Sequence, residues 1–373
     1  MEHLKNKKVL ISGASFAGLS TAYWMNKSGC KVTVVEVAKD LKMGGTPVDV
    51  RGNTVEIVKR MGIFEQIKAN RLQPRTMEFK NANDVTEGFM AHEHEDEQIL
   101  EEECEIERDL LLRILFDTIK DDVQLIFSDS ITALSETNEQ IQVHFKNSAQ
   151  DTFDLVFGCD GIHSVVRKLW FGDESKYMHF LQQYFSITIV NKLLIKEDTA
   201  QLYNVPNKAI MLNAYNNKTD IILCFRSEEE MLYDYRDEEQ QRKIILEKFV
   251  GENWRTNELL QEVQNSKTFY FDKFCQIKMP SWTKNRIALV GDSAYCASPA
   301  AGMGGSLAID GAAALADAFE KHNGNFEQAF QDYNNNFRPF IEEVQANAVR
   351  FGLEMLVPRT EEAIRQRNTE SNL

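Results

Sequence analysis

Three short segments, at residues 11–18, 158–167 and 290–305, each place glycine beside a small or acidic residue at the end of an apolar run. Such runs predict buried strands, and the helix-forming residues that follow predict helices. Because the pattern recurs in three places, we expect an α/β fold in which several strands end beside one crevice. No other feature of the sequence constrains the fold as strongly.

The first segment is typical of a dinucleotide-binding turn. Gly13 permits the tight turn after the strand, and Gly18 permits the next helix to pack closely on the sheet. Amides at the start of that helix can face a pyrophosphate, where the helix dipole favours negative charge. Ser15 replaces the middle glycine of the usual pattern, so an ordinary α/β turn is the alternative for this segment. The residues predicted to line the turn are Gly13, Ser15, Phe16, Ala17 and Gly18.

A second strand is predicted over residues 31–36 and ends in a carboxylate, Glu36. A carboxylate at this position binds ribose hydroxyls in dinucleotide folds. It therefore favours the adenosine of FAD or NAD over a 2′-phosphorylated ribose.

The second and third segments place acidic groups at two further strand ends. Asp160 ends one strand, with Ser164 and Arg167 at the start of the next helix, although a capping serine in a plain turn is the alternative. Asp292 ends another strand, where it can accept hydrogen bonds from a ribityl hydroxyl. A helix predicted over residues 306–320 would point its positive end at the loop before it, which suits a flavin pyrimidine that becomes anionic on reduction. The loop residues predicted to contact the cofactor are Pro299, Gly302, Met303, Gly304, Gly305 and Ser306.

Length and composition restrict the class of protein. A chain of 373 residues exceeds the usual size of a single core, so two domains are expected. The net charge of -15 argues against a nucleic-acid partner. No apolar run approaches the roughly 20 residues that cross a bilayer, and no signal peptide is recognised, so a cytoplasmic location is expected. Six cysteines without C-x-x-C spacing predict neither a metal site nor disulfides.

Taken together, the three segments resemble a known family. GASFAG at residues 13–18, CDGIHSVVR at 159–167 and GDSAYCASPAAGMGG at 291–305 resemble the single-component FAD-dependent aromatic hydroxylases, the group A flavin monooxygenases. Residues 44–52 and 292–299 are most similar to the branch that contains the tetracycline-inactivating monooxygenases.

The resemblance implies a chemistry and a set of cofactors. It implies FAD as the bound cofactor, NADPH as a transient co-substrate, and hydroxylation of an aromatic or polyketide molecule through a flavin hydroperoxide. Because the flavin carries that chemistry, no side chain is expected to be a catalytic residue. An FAD-dependent reductase or dehydrogenase, and a flavoprotein that only sequesters its ligand, are the alternatives.

The resemblance also implies roles for individual residues. Asp49 would lie near the flavin with Arg51 beside it, and Arg108 would lie over the FAD phosphates and ribityl chain. Asp160 and Arg167 would belong to the motif that serves both FAD and NADPH. Many relatives have histidine at the position of Tyr295 and glutamine at that of Met303, so the contacts of these two side chains are left open.

The predicted architecture is α/β in class and α+β overall. A Rossmann-like FAD-binding domain at residues 1–178 and 274–325, with an insertion at about 75–100, is interleaved with an antiparallel-sheet substrate domain at 179–273. Residues 326–373 are expected to form a C-terminal bracing helix and a tail. Pro339 is expected to kink or divide that helix.

The substrate is the least constrained part of the prediction. Tyr184, Ser186 and Thr188 share one face of a predicted strand and are the candidate substrate contacts, although either face could meet the substrate. Phenols and aromatic polyketides are expected, and tetracycline-like compounds follow from the branch resemblance. A monomer with a small-molecule partner is expected.

Overall fold

The structure is a computed structural model that describes residues 4–90, 102–137 and 139–370. Strands and helices alternate in the first half, and a run of long strands follows. The strands, in chain order, are β1 Lys8–Ser12, β2 Lys31–Glu36, β3 Val48–Val50, β4 Thr76–Lys80, β5 Thr86–Met90, β6 Cys104–Ile106, β7 Gln124–Phe127, β8 Ile131–Glu136, β9 Ile141–Phe145, β10 Asp151–Phe153, β11 Leu155–Gly158, β12 Met178–Val190, β13 Thr199–Val205, β14 Lys208–Tyr215, β15 Lys218–Arg226, β16 Phe269–Ile277, β17 Thr283–Lys284 and β18 Ile287–Leu289.

The helices of the described residues, in the same order, are α1 Phe16–Lys27, α2 Asn53–Arg60, α3 Phe64–Ala69, α4 Arg108–Asp117, α5 Val165–Trp170, α6 Glu238–Phe249, α7 Thr256–Asn265, α8 Asp292–Tyr295, α9 Gly304–Lys321, α10 Phe326–Asn347, α11 Leu353–Leu356 and α12 Glu361–Glu370. Short 3₁₀ turns lie at Glu174–Lys176 and Pro299–Ala301, and a π-helical turn lies at Ala348–Gly352. None of the helices in the described ranges is long and apolar enough to span a membrane.

The first large sheet has the order β17-β18-β11-β1-β2-β7 and is parallel except for the hairpin of β17 and β18. Its central strands are buried along almost their whole length because helices cover both faces. Ser12 pairs with Gly158, and Gly158 pairs with Leu289. The carboxyl ends of β1, β11 and β18 therefore lie side by side, which confirms the predicted α/β arrangement.

The second large sheet has the order β16-β12-β15-β14-β13-β4-β5 and is antiparallel except for the pairing of β13 with β4. One face packs against α6 and α7 through Ile245, Phe249 and Leu259. The opposite face packs against the 3₁₀ turn at Ala300 and against Leu353 of α11. The sheet thus has one face closed by helices and one face turned towards the glycine loop before α9.

Part of the predicted insertion joins this second sheet, because β4 and β5 extend it at one edge. Residues 91–100 of that insertion lie outside the described residues. Strand β16 runs through the predicted boundary between residues 273 and 274 and pairs with β12 along most of its length. The division into domains stays a prediction. Because β16 belongs to the second sheet, the boundary fits better after β16.

The C-terminal helix differs from the prediction that Pro339 divides it. Helix α10 continues through Pro339 to Asn347, and the π-helical turn follows there instead. Phe337 and Ile341 are buried on either side of the proline and hold α10 against neighbouring elements. This packing outweighs the one helical hydrogen bond that proline removes. Residues 361–370, which were expected to belong to a tail, form α12.

Candidate functional site

The turn between β1 and α1 has the geometry that its glycines require. Gly13 has a φ of 101°, and a Cβ there would lie 2.5 Å from the carbonyl oxygen of Cys159. Ser15 precedes α1, and in the described chain its hydroxyl makes no capping hydrogen bond to the helix. The first amides of α1 are therefore left uncapped by a side chain at the position where a dinucleotide fold binds a pyrophosphate.

Glu36 lies beside this turn, at the end of β2. Its Oε2 atom accepts a hydrogen bond of 2.8 Å from the amide of Ala14, and its Oε1 atom accepts one of 2.9 Å from the amide of Ala38. These bonds fix the carboxylate next to the glycine turn. Each oxygen keeps a second lone pair for a ribose hydroxyl, as the sequence pattern predicts.

Arg108 starts α4 and reaches back over the same turn. Its Nη1 atom donates to the carbonyl oxygens of Lys42 and Gly44, each at 2.9 Å, and Nη2 donates to Ser15 Oγ at 3.4 Å. The guanidinium carbon lies 5.2 Å from the ring centroid of Phe16. Burial lowers the pKa of Arg108, yet the group remains cationic at neutral pH. A charge at this position would face the phosphates of a dinucleotide.

Asp160 and Arg167 take supporting positions. Asp160 Oδ2 accepts from the amide of Val166 at 3.1 Å and lies 3.4 Å from Ser12 Oγ, so it joins α5 to β1. Ser164 caps α5 by accepting from the amide of Arg167, so the capping serine considered as the alternative is present. Ser164 therefore caps the helix and is at the same time part of the predicted motif.

The position of Arg167 corrects the prediction of a direct cofactor contact. Its side chain is fully buried. Nη1 donates to the carbonyl oxygen of Ser293 at 2.8 Å, and Nη2 pairs with Glu174 at 2.8 Å. Arg167 therefore holds the turn next to Asp292 in place and does not reach the crevice.

Residues of β3 meet the start of α9. Asp49 and Arg51 form an ion pair of 3.0 Å, and Ser306 Oγ donates to the carbonyl oxygen of Asp49 at 2.6 Å. A Cβ at Gly305 would lie 2.5 Å from a methyl carbon of Val48, so only glycine allows this approach. The predicted residues of β3 and those of the third segment are thereby brought together.

Asp292 is exposed to that crevice near the start of the third segment. The crevice walls still exclude enough water to raise the pKa of Asp292, although contact with Cys296 opposes the shift. Helix α9 begins at Gly304, two residues earlier than predicted, so Gly304 and Gly305 form its first turn. A Cβ at Gly302 or at Gly304 would have no atom of the described residues within 4 Å.

The two positions that depart from the commoner family pattern have structural explanations. The Tyr295 hydroxyl accepts a hydrogen bond of 3.1 Å from Tyr333, and its ring packs on Trp282 with centroids 4.7 Å apart. It is 1% exposed and cannot meet a ligand. Met303 precedes α9, and its side chain packs on the core, so its backbone is the part that faces the crevice.

The three candidate substrate residues lie on the face of β12 that the helices close. Tyr184 stacks between Phe225 and Phe271, with ring centroids 5.3 and 5.7 Å away, on the face that α6 and α7 cover. Ser186 and Thr188 are completely buried on the same face. The two-residue period identified two faces correctly, but the sequence did not show which one the helices would close.

The opposite face is partly open and largely apolar. Phe185 and Ile187 lie on this face of β12, and the face packs against Ala300 of the glycine loop. Its half-exposed or exposed side chains are Met77, Ile187, Ile189, Met211, Asn213 and Tyr270. This face, unlike the one with Tyr184, leaves side chains exposed beside the glycine loop.

His163 belongs to a charged network that the sequence motifs do not predict. His163 Nδ1 lies 3.1 Å from Glu174, and Nε2 lies 3.6 Å from Asp272 on β16. Burial opposes protonation, but hydrogen bonds and charge from Asp272 and Glu174 outweigh it and raise the pKa of His163 to about 9. The one available sequence signal was an aspartate within the aromatic strand at 269–274.

The arrangement fits FAD at the start of α1, at Glu36 and Arg108, and around the start of α9. The uncapped start of α1 and Arg108 suit the pyrophosphate, and Glu36 suits the adenosine ribose. Asp292 suits a ribityl hydroxyl. The open space around Gly302 and Gly304, at the start of α9, suits the pyrimidine edge.

Comparison with known proteins agrees with this geometry. The FAD binding domain family matches residues 6–348. A flavin-dependent monooxygenase from Legionella longbeachae is 35% identical over 359 residues, covering 95% of this chain and 90% of that protein. The crystal structure of the tetracycline destructase Tet(51) is similar with a TM-score of 0.86 and 32% identity, covering 98% of this chain and 95% of the other.

A more distant structure shares the fold alone. HpxO from Klebsiella pneumoniae, in its complex with FAD and uric acid, has a TM-score of 0.78 and 19% identity, covering 98% of this chain and 92% of the other. The extent of the family match and the identity to the Legionella protein together decide the assignment. This chain belongs to the FAD binding domain family and is a flavin-dependent monooxygenase.

Proposed function

We propose that this enzyme uses NADPH and molecular oxygen to hydroxylate an aromatic or polyketide small molecule, with tetracycline-like compounds as the first candidates. The observation that carries the proposal is the open apolar face of the second sheet, which lies against the glycine loop at Ala300. An aromatic molecule on that face would lie beside the flavin.

The residues of the site have defined roles in this proposal. Gly13, Ser15, Phe16, Ala17 and Gly18 would hold the pyrophosphate with Arg108, and Glu36 would hold the adenosine ribose. Asp292 would bind the ribityl chain, while Asp49 and Arg51 would lie near the flavin ring. The backbone from Pro299 to Ser306 would enclose the pyrimidine end. The flavin supplies the redox chemistry when it is bound, and these residues orient it and exclude water.

NADPH is proposed as a visiting reductant without a domain of its own. The sequence contains a single dinucleotide-binding glycine fingerprint, at residues 13–18, and FAD would occupy it. A nicotinamide dinucleotide would therefore bind transiently at the crevice. NADPH and not NADH is proposed from the family resemblance.

The substrate class follows from two observations. The open face offers apolar side chains such as Ile187 and Met211 with few charged groups, which suits a flat aromatic ring system. Tet(51), whose name identifies it as a tetracycline destructase, is similar over 98% of this chain. If tetracyclines are substrates, the enzyme would confer resistance to them.

The direct test uses the purified FAD-loaded protein with a panel of tetracyclines and phenols. NADPH and oxygen consumption should rise with one or more compounds, and the product should gain one oxygen atom by mass spectrometry. NADPH consumption that no compound accelerates, with no oxygenated product, would indicate a reductase or a sequestering flavoprotein instead. Heat-inactivated protein with free FAD is the control for uncatalysed flavin chemistry.

A further inference from the structure

We propose that Tyr270 determines specificity by stacking its ring on an aromatic substrate, and that Asp272 and His163 hold the ring in that position. This inference rests on the proposed function and names a residue that recognises the substrate.

Tyr270 is positioned between the open sheet face and the glycine turn of the FAD site. Its side chain is 40% exposed, and its ring lies 5.7 Å from that of Phe185 on the same face. Lys42 Nζ lies 5.7 Å from the Tyr270 ring centroid, and the carbonyl oxygen of Lys42 accepts from Arg108. The phenol ring is therefore next to the segment that Arg108 anchors over the turn.

The Asp272 carboxylate fixes the hydroxyl end of Tyr270, and Tyr233 holds the other oxygen of that carboxylate. The Tyr270 hydroxyl donates to Asp272 Oδ2 at 2.9 Å, while Tyr233 donates to Asp272 Oδ1 at 3.0 Å. Asp272 is itself 4% exposed. A ring whose hydroxyl is held by a buried carboxylate keeps one orientation, and its remaining surface faces the crevice.

The carboxylate is held in turn by the other half of the molecule. His163 lies between Asp272 and Glu174 and stacks on Tyr235 with ring centroids 4.7 Å apart. Glu174 pairs with Arg167, which donates to the carbonyl oxygen of Ser293 beside Asp292. A continuous polar chain thus connects the substrate-facing ring to the turn that carries a predicted FAD contact.

The chemistry of this surface favours a particular ligand. An exposed aromatic ring stacks on aromatic ligands, and Lys42 Nζ lies over this ring and provides positive charge beside it. An aromatic compound with an acidic hydroxyl, which carries partial negative charge near neutral pH, satisfies both features. Tyr270 and Asp272 act here as recognition and positioning residues and carry no proton in the reaction.

Binding titrations without NADPH test the proposal independently of turnover. FAD-loaded wild type, Y270F, Y270L and D272N would be titrated calorimetrically with tetracycline and with 4-nitrophenol, whose hydroxyl ionises near neutral pH, and thermal unfolding would be recorded for each. Y270L should weaken binding at least about ten-fold because it removes the ring. Y270F and D272N should weaken it about three-fold because they release the hydroxyl. Y23L, a tyrosine change on α1, is the control and should leave binding unchanged.

The outcomes separate this inference from the proposed function. If Y270F and D272N bind the probes as tightly as wild type, these residues serve the fold alone and the inference is overturned. The same conclusion follows if Y270L has a lower melting temperature but an unchanged affinity. Failure of the wild type to bind either probe would also overturn it. A wild type that binds the probes through Tyr270 but consumes no NADPH would contradict the proposed function and leave the inference supported.

Discussion

Asp292 and Asp220 lie in contrasting environments. The difference in exposure distinguishes a candidate ligand contact from a carboxylate of the core. Asp292 is exposed to the crevice, where a ligand can reach it. Asp220 is completely buried on β15, accepts a hydrogen bond of 2.9 Å from Tyr215, and has its pKa raised to about 7 by burial. Both are single carboxylates at the end or start of a strand segment, so sequence position alone does not distinguish them.

Replacing Asp292 with alanine should weaken FAD binding. The change removes a charge-assisted hydrogen bond worth about 1.5 to 3 kcal/mol, which is roughly ten- to a hundred-fold in affinity. Titration of the apoprotein with FAD, followed by fluorescence quenching, measures the change. The control variant D317A changes an exposed aspartate on α9 and should bind FAD normally. Normal FAD binding by D292A would show that Asp292 is not part of the site.

Replacing Asp220 with asparagine should stabilise the protein more at pH 8 than at pH 5. The folded-state pKa of Asp220 is raised above the unfolded value, so wild-type stability falls as the pH rises from about 4 through about 7. The gain from D220N should therefore be on the order of 2 kcal/mol larger at pH 8. Chemical denaturation at both pH values measures it, and a gain that does not vary with pH would contradict the expected protonation.

The elements show why some parts of the fold follow from sequence and others do not. Strand β2 has the predicted bounds, because its apolar pattern and its glycine-bearing neighbours are local signals. Helix α10 continues past Pro339 because buried neighbours outweigh a local rule. The face of β12 that α6 and α7 cover, and the approach of His163 to Asp272, depend on residues far apart in sequence. Local pattern cannot identify such contacts.

The first turn of α9 provides a matched pair of glycine variants. Gly304→Ala adds a methyl group that meets no atom of the described residues, so apoprotein stability should be unchanged or slightly higher. FAD affinity should fall if the cofactor packs there. Gly305→Ala should lower apoprotein stability as well, because its methyl would press on Val48. Melting temperatures and FAD titrations distinguish them, and full FAD affinity in G304A would place the cofactor elsewhere.

The connection from His163 to Asp272 should depend on pH. The pKa of His163 is raised to about 9 in the folded state, so its contribution to stability is complete below about 6.5 and is lost as the pH rises through 9. His163→Gln should cost about 2 kcal/mol at pH 6 and much less at pH 10. The charged and titratable groups around it are Glu174, Asp272, Arg167, Lys273, Tyr233, Tyr235 and Tyr270.

Chemical denaturation of H163Q and wild type at each pH measures this difference. Exposed His144, on β9, provides the matched control variant H144Q. A cost that stays constant between pH 6 and pH 10 would mean that His163 is neutral in the folded protein.

At the scale of the whole molecule, the crevice is assembled from segments spread along the chain. The parallel sheet supplies the ends of β1, β2 and β11, and the second sheet supplies an apolar wall that reaches the glycine loop at Ala300. The C-terminal elements close one side, since Gly352 lies so near Ala300 that a Cβ would be 2.2 Å from its carbonyl oxygen. The sequence motifs predict the cofactor half of this crevice, whereas the substrate half depends on how the two sheets pack.

Incorporation of oxygen-18 tests the central claim most directly. The FAD-loaded enzyme would be supplied with NADPH, labelled molecular oxygen and a tetracycline or phenol that accelerates NADPH consumption. We expect a product with one labelled oxygen atom, and no such product from D292A when FAD is not retained. An unlabelled product, or NADPH consumption that yields only hydrogen peroxide with every compound, would contradict it.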